Sequence, residues 1–153
     1  MTVRDGLQLE CEPDPVADSP WPFEAARDGV DPDAAGCSPD AVTAHARRIA
    51  VTGSRTIVGQ VELRYSPSVG AAWCRFAGFR SLDHLAGERA VEIEVQACRE
   101  SDGAEFSYRS GYVFDCHWSD LVLTGAGRVF ARARLYFDGT LAACGETNRL
   151  ALP

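Results

Sequence analysis

Cys116 and His117 put a thiol and a base side by side, a pair that could hold a metal ion or activate a nucleophile. Neighbours on a strand point to opposite faces, so without a bulge the two can share neither an ion nor a substrate. Cys98, His84 and His45 stand elsewhere, and neither C-x-x-C nor paired Cys/His ligand spacing occurs among the six cysteines. Buried free thiols account for that pattern, and no metal site is expected from it. Asp28, Asp31 and Asp33 gather three carboxylates around Gly29, an oxygen-rich set that could take Ca²⁺. They lack the spacing of a calcium-binding helix-loop-helix and its closing bidentate Glu, and a tight turn capped by its own Asp side chains is the favoured reading. No Ser sits in a G-x-S-x-G elbow. Glu92 and Glu94 share a face expected to be wet, where nothing would raise either pKa. All fifteen basic residues are Arg, which removes lysine Schiff-base chemistry and the phosphate-binding loop that needs Lys. The chain is therefore expected not to be an enzyme, and no cofactor is implied.

Binding chemistry is better represented. Arg128, Arg132 and Arg134 alternate with Phe130 and Tyr136, the basic and aromatic interleaving that single-stranded nucleic-acid binders use. The net charge of −7 opposes that use. Pairing of these arginines with Glu62, Glu92 and Glu94, or with the acidic N-terminal region, is expected instead. Residues 1–40 hold ten carboxylates against two arginines and six of the eight prolines, a mixture that resists regular structure. Residues 1–27 read as an extended acidic arm carrying Trp21 and Phe23, and residues 28–153 as one β domain. Two large apolar side chains in such an arm dock either on a partner or back on their own body.

The elements that would position these groups follow a period of two from Thr56 onward. Val61-Glu62-Leu63-Arg64-Tyr65 alternates apolar with charged, predicting one buried and one wet face. Ser66-Pro67-Ser68-Val69-Gly70 supplies a turn, and the run over residues 71–79 is apolar on both faces. Asp102-Gly103 lies between two alternating runs and predicts a two-residue primed turn. That register sets Val91 opposite Phe114, Ile93 opposite Tyr112, Ala97 opposite Tyr108 and Cys98 opposite Ser107. Asp138-Gly139 predicts a second such turn, with Leu135 opposite Ala142, Ala133 opposite Cys144, and Cys144 pointing inward. A strand is expected near residues 118–123. Ser38-Pro39-Asp40 resembles a helix start and predicts a short helix near 39–48, although Val42, Thr43 and Ile49 leave a strand open. The sum is an all-β antiparallel sandwich or partly open barrel of six to seven strands.

At 153 residues and 46% hydrophobic composition, one domain can bury a sizeable core. No apolar run approaches the roughly eighteen residues of a membrane-spanning helix. The start, Met1-Thr-Val-Arg-Asp-Gly, has no apolar stretch after its charge, so the sequence reads as cytoplasmic as written and as secreted if an export signal lies upstream.

Four separated motifs, Asp28-Gly29-Val30-Asp31-Pro32, Gly36-Cys37-Ser38-Pro39-Asp40-Ala41, Val61-Glu62-Leu63-Arg64-Tyr65-Ser66-Pro67 and Ala71-Ala72-Trp73-Cys74-Arg75, resemble in order and spacing the actinobacterial family called domain of unknown function 2690. The resemblance brings no activity. It implies an extracytoplasmic module, stand-alone or at the C-terminus of a membrane-tethered helix-turn-helix regulator. Family cysteines flanking the first and third motifs are replaced here by Arg27 and Val69, while Cys37 and Cys144 match the other two. The resemblance thus implies Cys37 and Cys144 as a bonded pair in an oxidising compartment. A non-catalytic module that binds or assembles with a protein partner is the expected role. The alternatives are a small-ligand or ion-sensing domain and a subunit that self-associates through a strand edge.

Overall fold

A computed structural model describes residues 23–114 and 116–153. Within them the strands are β1 (Val42–Ala50), β2 (Ile57–Ser66), β3 (Ala71–Gly78), β4 (Val91–Arg99), β5 (Glu105–Gly111), β6 (His117–Trp118), β7 (Val122–Leu123), β8 (Val129–Phe137) and β9 (Thr140–Glu146). One sheet runs β1-β2-β3 with β6 and β7 one after the other on the free edge of β3, and the other runs β5-β4-β8-β9. Every pairing is antiparallel. The two sheets face each other as a sandwich, and the inward positions of the alternating strands meet between them. Val61, Leu63, Cys74 and Phe76 from one sheet pack on Ile93, Val95, Ala131, Ala133 and Leu135 from the other. Each large aliphatic side chain so buried contributes about 1.5–3 kcal/mol.

The helix expected near 39–48 is absent. Pro39 starts only a 3-10 turn, Ser38–Asp40, and the β-branched stretch after it joins β2 as β1. Asp40 accepts hydrogen bonds from the Ser66 hydroxyl at 2.6 Å and the Ser68 amide at 2.8 Å. Its carboxylate thus ties the turn to the β2–β3 hairpin instead of capping a helix. The helix that does form is α1 (Arg80–Ala86), where Leu82 and Leu85 lie three apart and both pack on the core.

Three details of register also differ. The β4–β5 pairing sets Val95 opposite Tyr108, Ala97 opposite Phe106 and Cys98 opposite Glu105, two residues away from the predicted register and with the same face inward. The connection spans residues 100–104, and within it only Gly103 has positive φ. Asp102 is drawn into a 2.7 Å ion pair with Arg99, so no primed two-residue turn forms. At Asp138-Gly139 both residues do have positive φ, 51° and 84°, and Phe137 pairs directly with Thr140, the geometry of the predicted turn. A bulge then intervenes between the Leu135 and Tyr136 pairings, so Leu135 faces Ala143 and Arg134 faces Cys144. That one-residue slip turns Cys144 outward.

The charged face of β2 is buried rather than wet. Glu62 receives a 2.6 Å hydrogen bond from Arg75 Nε, and Arg64 donates to Thr43 Oγ1 at 2.7 Å. Residues 28–40 lie over the outer side of the first sheet, with Val30, Ala35 and Cys37 packed against Ala71, Trp73 and Leu121. This third layer carries the loop that shapes the candidate site.

Candidate functional site

The loop is fixed first at Asp28. Arg99, buried at the end of β4, donates to Asp28 Oδ2 at 2.7 Å and Oδ1 at 3.0 Å, and to the Leu123 carbonyl at 3.1 Å. The Leu123 amide returns a 2.8 Å bond to Asp28 Oδ1. The Arg99 hydrogen bonds hold the Asp28 carboxyl below its ordinary range. Gly29 then turns at φ +87°, and a Cβ there would come within 3.0 Å of the Phe106 ring. The Gly29 amide donates to the Leu121 carbonyl and the Leu121 amide to the Val30 carbonyl, each at 2.9 Å. These bonds deliver Asp31 to Trp118, whose indole N–H points at Asp31 Oδ1 from 3.4 Å.

A cleft of about 390 Å³ opens where this loop, β5 and β6 meet, bordered by Asp31, Tyr108, His117, Trp118 and Asp120. β5 is the terminal strand of its sheet among the described residues. On it Tyr108 is 55% exposed, and beyond the end of β5 Val113 and Phe114 are 60% and 54% exposed. Asp31 Oδ2 accepts the Ala34 amide at 3.0 Å. Asp120 sits near Asp31, and partial burial, then the Asp31 charge, push its carboxyl upward. The cleft thus joins aromatic walls to two carboxylates, a combination suited to binding.

Residues 25–117 match the family described as protein of unknown function (DUF2690). The chain belongs to the DUF2690 family. No curated protein and no solved structure matches it. The DUF2690 match includes the Asp28–Asp31 loop, β5 and His117, and ends just before Trp118.

The groups singled out from sequence are distributed differently. Cys116 is disulfide-bonded, so it offers no thiol for catalysis or ligation. It stands one residue before β6 and packs with Ala77, whereas His117 lies across from Phe76 and against Tyr112 of the inter-sheet core. His117 Nε2 lies 3.3 Å from the Val113 carbonyl, and its ring lies against Tyr112. The Ca²⁺ candidate does not assemble: Asp28 goes to Arg99, Asp31 to Ala34, and Asp33 accepts the Ser38 hydroxyl at 2.8 Å. Among the described residues no cluster of three His, Cys, Asp or Glu could hold a metal. Cys37 and Cys144 are free thiols rather than a bonded pair. Cys37 is buried beneath the loop layer and its thiol is pushed up to about 11 by that burial, whereas Cys144 faces solvent on β9 because of the bulge.

The arginine stripe is neutralised in place. Arg128 pairs with Glu100 at 3.0 Å, Arg132 with Glu146 at 2.7 Å and Arg134 with Glu94 at 3.4 Å. Glu92 pairs with Arg109 at 2.6 Å, and Glu62 belongs to the other sheet with Arg75. The ring faces are used as well: Arg109 lies 3.7 Å over Tyr136 and Arg149 lies 3.9 Å over Phe130. Phe23 lays its ring on Gly36, where a Cβ would come within 2.8 Å of it. Trp21 lies outside the described residues.

Sequence reasoning missed the cleft. One signal was present: Tyr112-Val113-Phe114 is an unbroken apolar run at a strand end, and alternation cannot bury all three.

Proposed function

We propose that this DUF2690 chain is a non-catalytic module that docks a protein partner along the aromatic seam between β5 and β6. The observation that carries the reading is that Tyr108 on β5 and Val113 and Phe114 just beyond it are each more than half exposed, on a strand whose outer edge pairs with no other strand among the described residues. Large apolar groups clustered at a sheet edge mark an interaction surface, and an unpaired edge offers backbone groups to a partner strand. The Cys116 disulfide supports placing the module in an oxidising compartment.

The test is capture from an extract of the source organism by the immobilised chain and by a Tyr108→Ala/Phe114→Ala variant. Both side chains are exposed, so the variant should melt close to the wild type. A partner retained by the wild type and lost by the variant supports the reading. A variant that captures the same partner equally well, or a wild type that captures none, overturns it.

One observation favours a small-ligand reading as well. A largely apolar cavity of about 680 Å³ lies beside α1, lined by Val51, Leu85 and Phe137 with Arg80, His84 and Arg89 at its polar side. That chemistry suits an anionic amphiphile. Decanoate should raise the melting temperature saturably if the cavity is used, and no rise on titration would dismiss this second reading.

A further inference from the structure

We infer that the cleft between Tyr108 and Trp118 receives a cationic side chain, arginine or lysine, of the docked partner. The inference rests on the proposed docking along β5 and names the group recognised there. Two carboxylates, Asp31 and Asp120, border the cleft together with two electron-rich rings, and a desolvated cation gains from both kinds of neighbour. Asp31 keeps lone pairs to spare, since each oxygen accepts one hydrogen bond, at 3.0 Å from Ala34 and 3.4 Å from Trp118. No ion pair or hydrogen bond engages the Asp120 carboxylate among the described residues; its backbone carbonyl alone accepts, from Ser119. Among the described residues the basic group bordering the cleft is His117, whose Nε2 lies 3.3 Å from the Val113 carbonyl. The upward displacement of the Asp120 carboxyl, part of it from the Asp31 charge, marks a like-charge repulsion that a bound cation would relieve.

A side chain on a partner fits better than a free small cation. The exposed surface continues out of the cleft through Val113 and Phe114, where a free small ligand would leave it uncovered. Formal charge adds to this: residues 1–40, which include Asp31, hold ten carboxylates against two arginines, and that excess attracts a basic partner segment.

The experiment is an NMR titration of the full chain at low salt that follows the Trp118 indole N–H. N-acetyl-arginine amide, N-acetyl-lysine amide and the neutral isostere N-acetyl-citrulline amide are compared, with calcium chloride as a separate arm. The expected result is a saturable shift with one or both cations and about tenfold weaker binding of citrulline, about 1.4 kcal/mol. Asp120→Asn keeps the shape of the side chain and should weaken cation binding about fivefold with an unchanged melting temperature. Equal binding of citrulline, no saturable shift, unchanged affinity in Asp120→Asn, or a response to calcium alone would each overturn the inference. Partner capture that survives while no cation binds would defeat this inference and leave the docking reading standing. Loss of capture in the aromatic variant, together with saturable cation binding by the wild type, supports both.

Discussion

Asp28→Ala tests whether the loop that builds the cleft is held by its clasp on Arg99. The wild-type side chains are 30% exposed for Asp28 and 6% for Arg99, and the pair makes two hydrogen bonds of 2.7 and 3.0 Å. Removing one partner of a buried pair costs about 3–5 kcal/mol. Asp28 keeps part of its side chain in water and Asp102 remains beside Arg99, so the lower part of that range applies, about 2–3 kcal/mol. For a chain of this size that corresponds to a fall in Tm of about 6–10 °C. Asp102→Ala supplies the control, because Asp102 meets the same guanidinium from a 53% exposed position and its loss should leave Tm near that of the wild type. The pH dependence follows from the lowered Asp28 pKa. With an unfolded value near 3.8 and a folded value below it, the clasp stabilises above the unfolded value and is lost as pH falls through the folded one. Thermal melts of wild type and Asp28→Ala should therefore differ most at neutral pH and converge as the medium is made acid below that range. Equal melting temperatures at neutral pH, or a gap that persists unchanged in acid, would refute the reasoning.

Glu62→Ala should destabilise by about 1–3 kcal/mol in urea unfolding, because it removes the carboxylate that the buried Arg75 bonds at 2.6 Å; no measurable loss would mean that face is open to water. Gly29→Ala meets both a positive φ of 87° and the Phe106 ring, so it should destabilise by at least 1–2 kcal/mol, read by the same assay. Under native, non-reducing conditions iodoacetamide should label Cys144 first, while Cys37, Cys74 and Cys98 stay unlabelled until the chain is unfolded. Burial raises the thiols of Cys37 and Cys98 to about 11, so mass spectrometry showing rapid modification of either would contradict their placement.

The sheet architecture was legible because dyad alternation reports burial directly, as in residues 91–99 and 129–137, and because Asp138-Gly139 carries a turn signal that nothing else competes for. At Asp102 the same signal was overridden by a tertiary partner, Arg99, which local sequence does not reveal. A period of two also says nothing of a third layer, so Glu62 and Arg64 read as wet although residues 28–40 lie over that sheet. The bulge in the β8–β9 pairing flips Cys144 through one inserted residue, and no residue type announces it. The seven-residue α1 is too short to display a helical period. The cleft escaped notice for a different reason: Asp31, Tyr108 and Trp118 come from three distant segments, brought together by the Arg99 clasp on Asp28 and the backbone bonds of Gly29 and Val30 with Leu121.

Hydrogen–deuterium exchange of the chain, alone and with the captured partner, reads the docking surface most directly. Slowed exchange confined to β5 and to the segment from Tyr112 through Asp120 is the predicted result. Slowed exchange instead across the arginine-bearing face of β8 and β9, with β5 unchanged, would contradict docking at the aromatic seam.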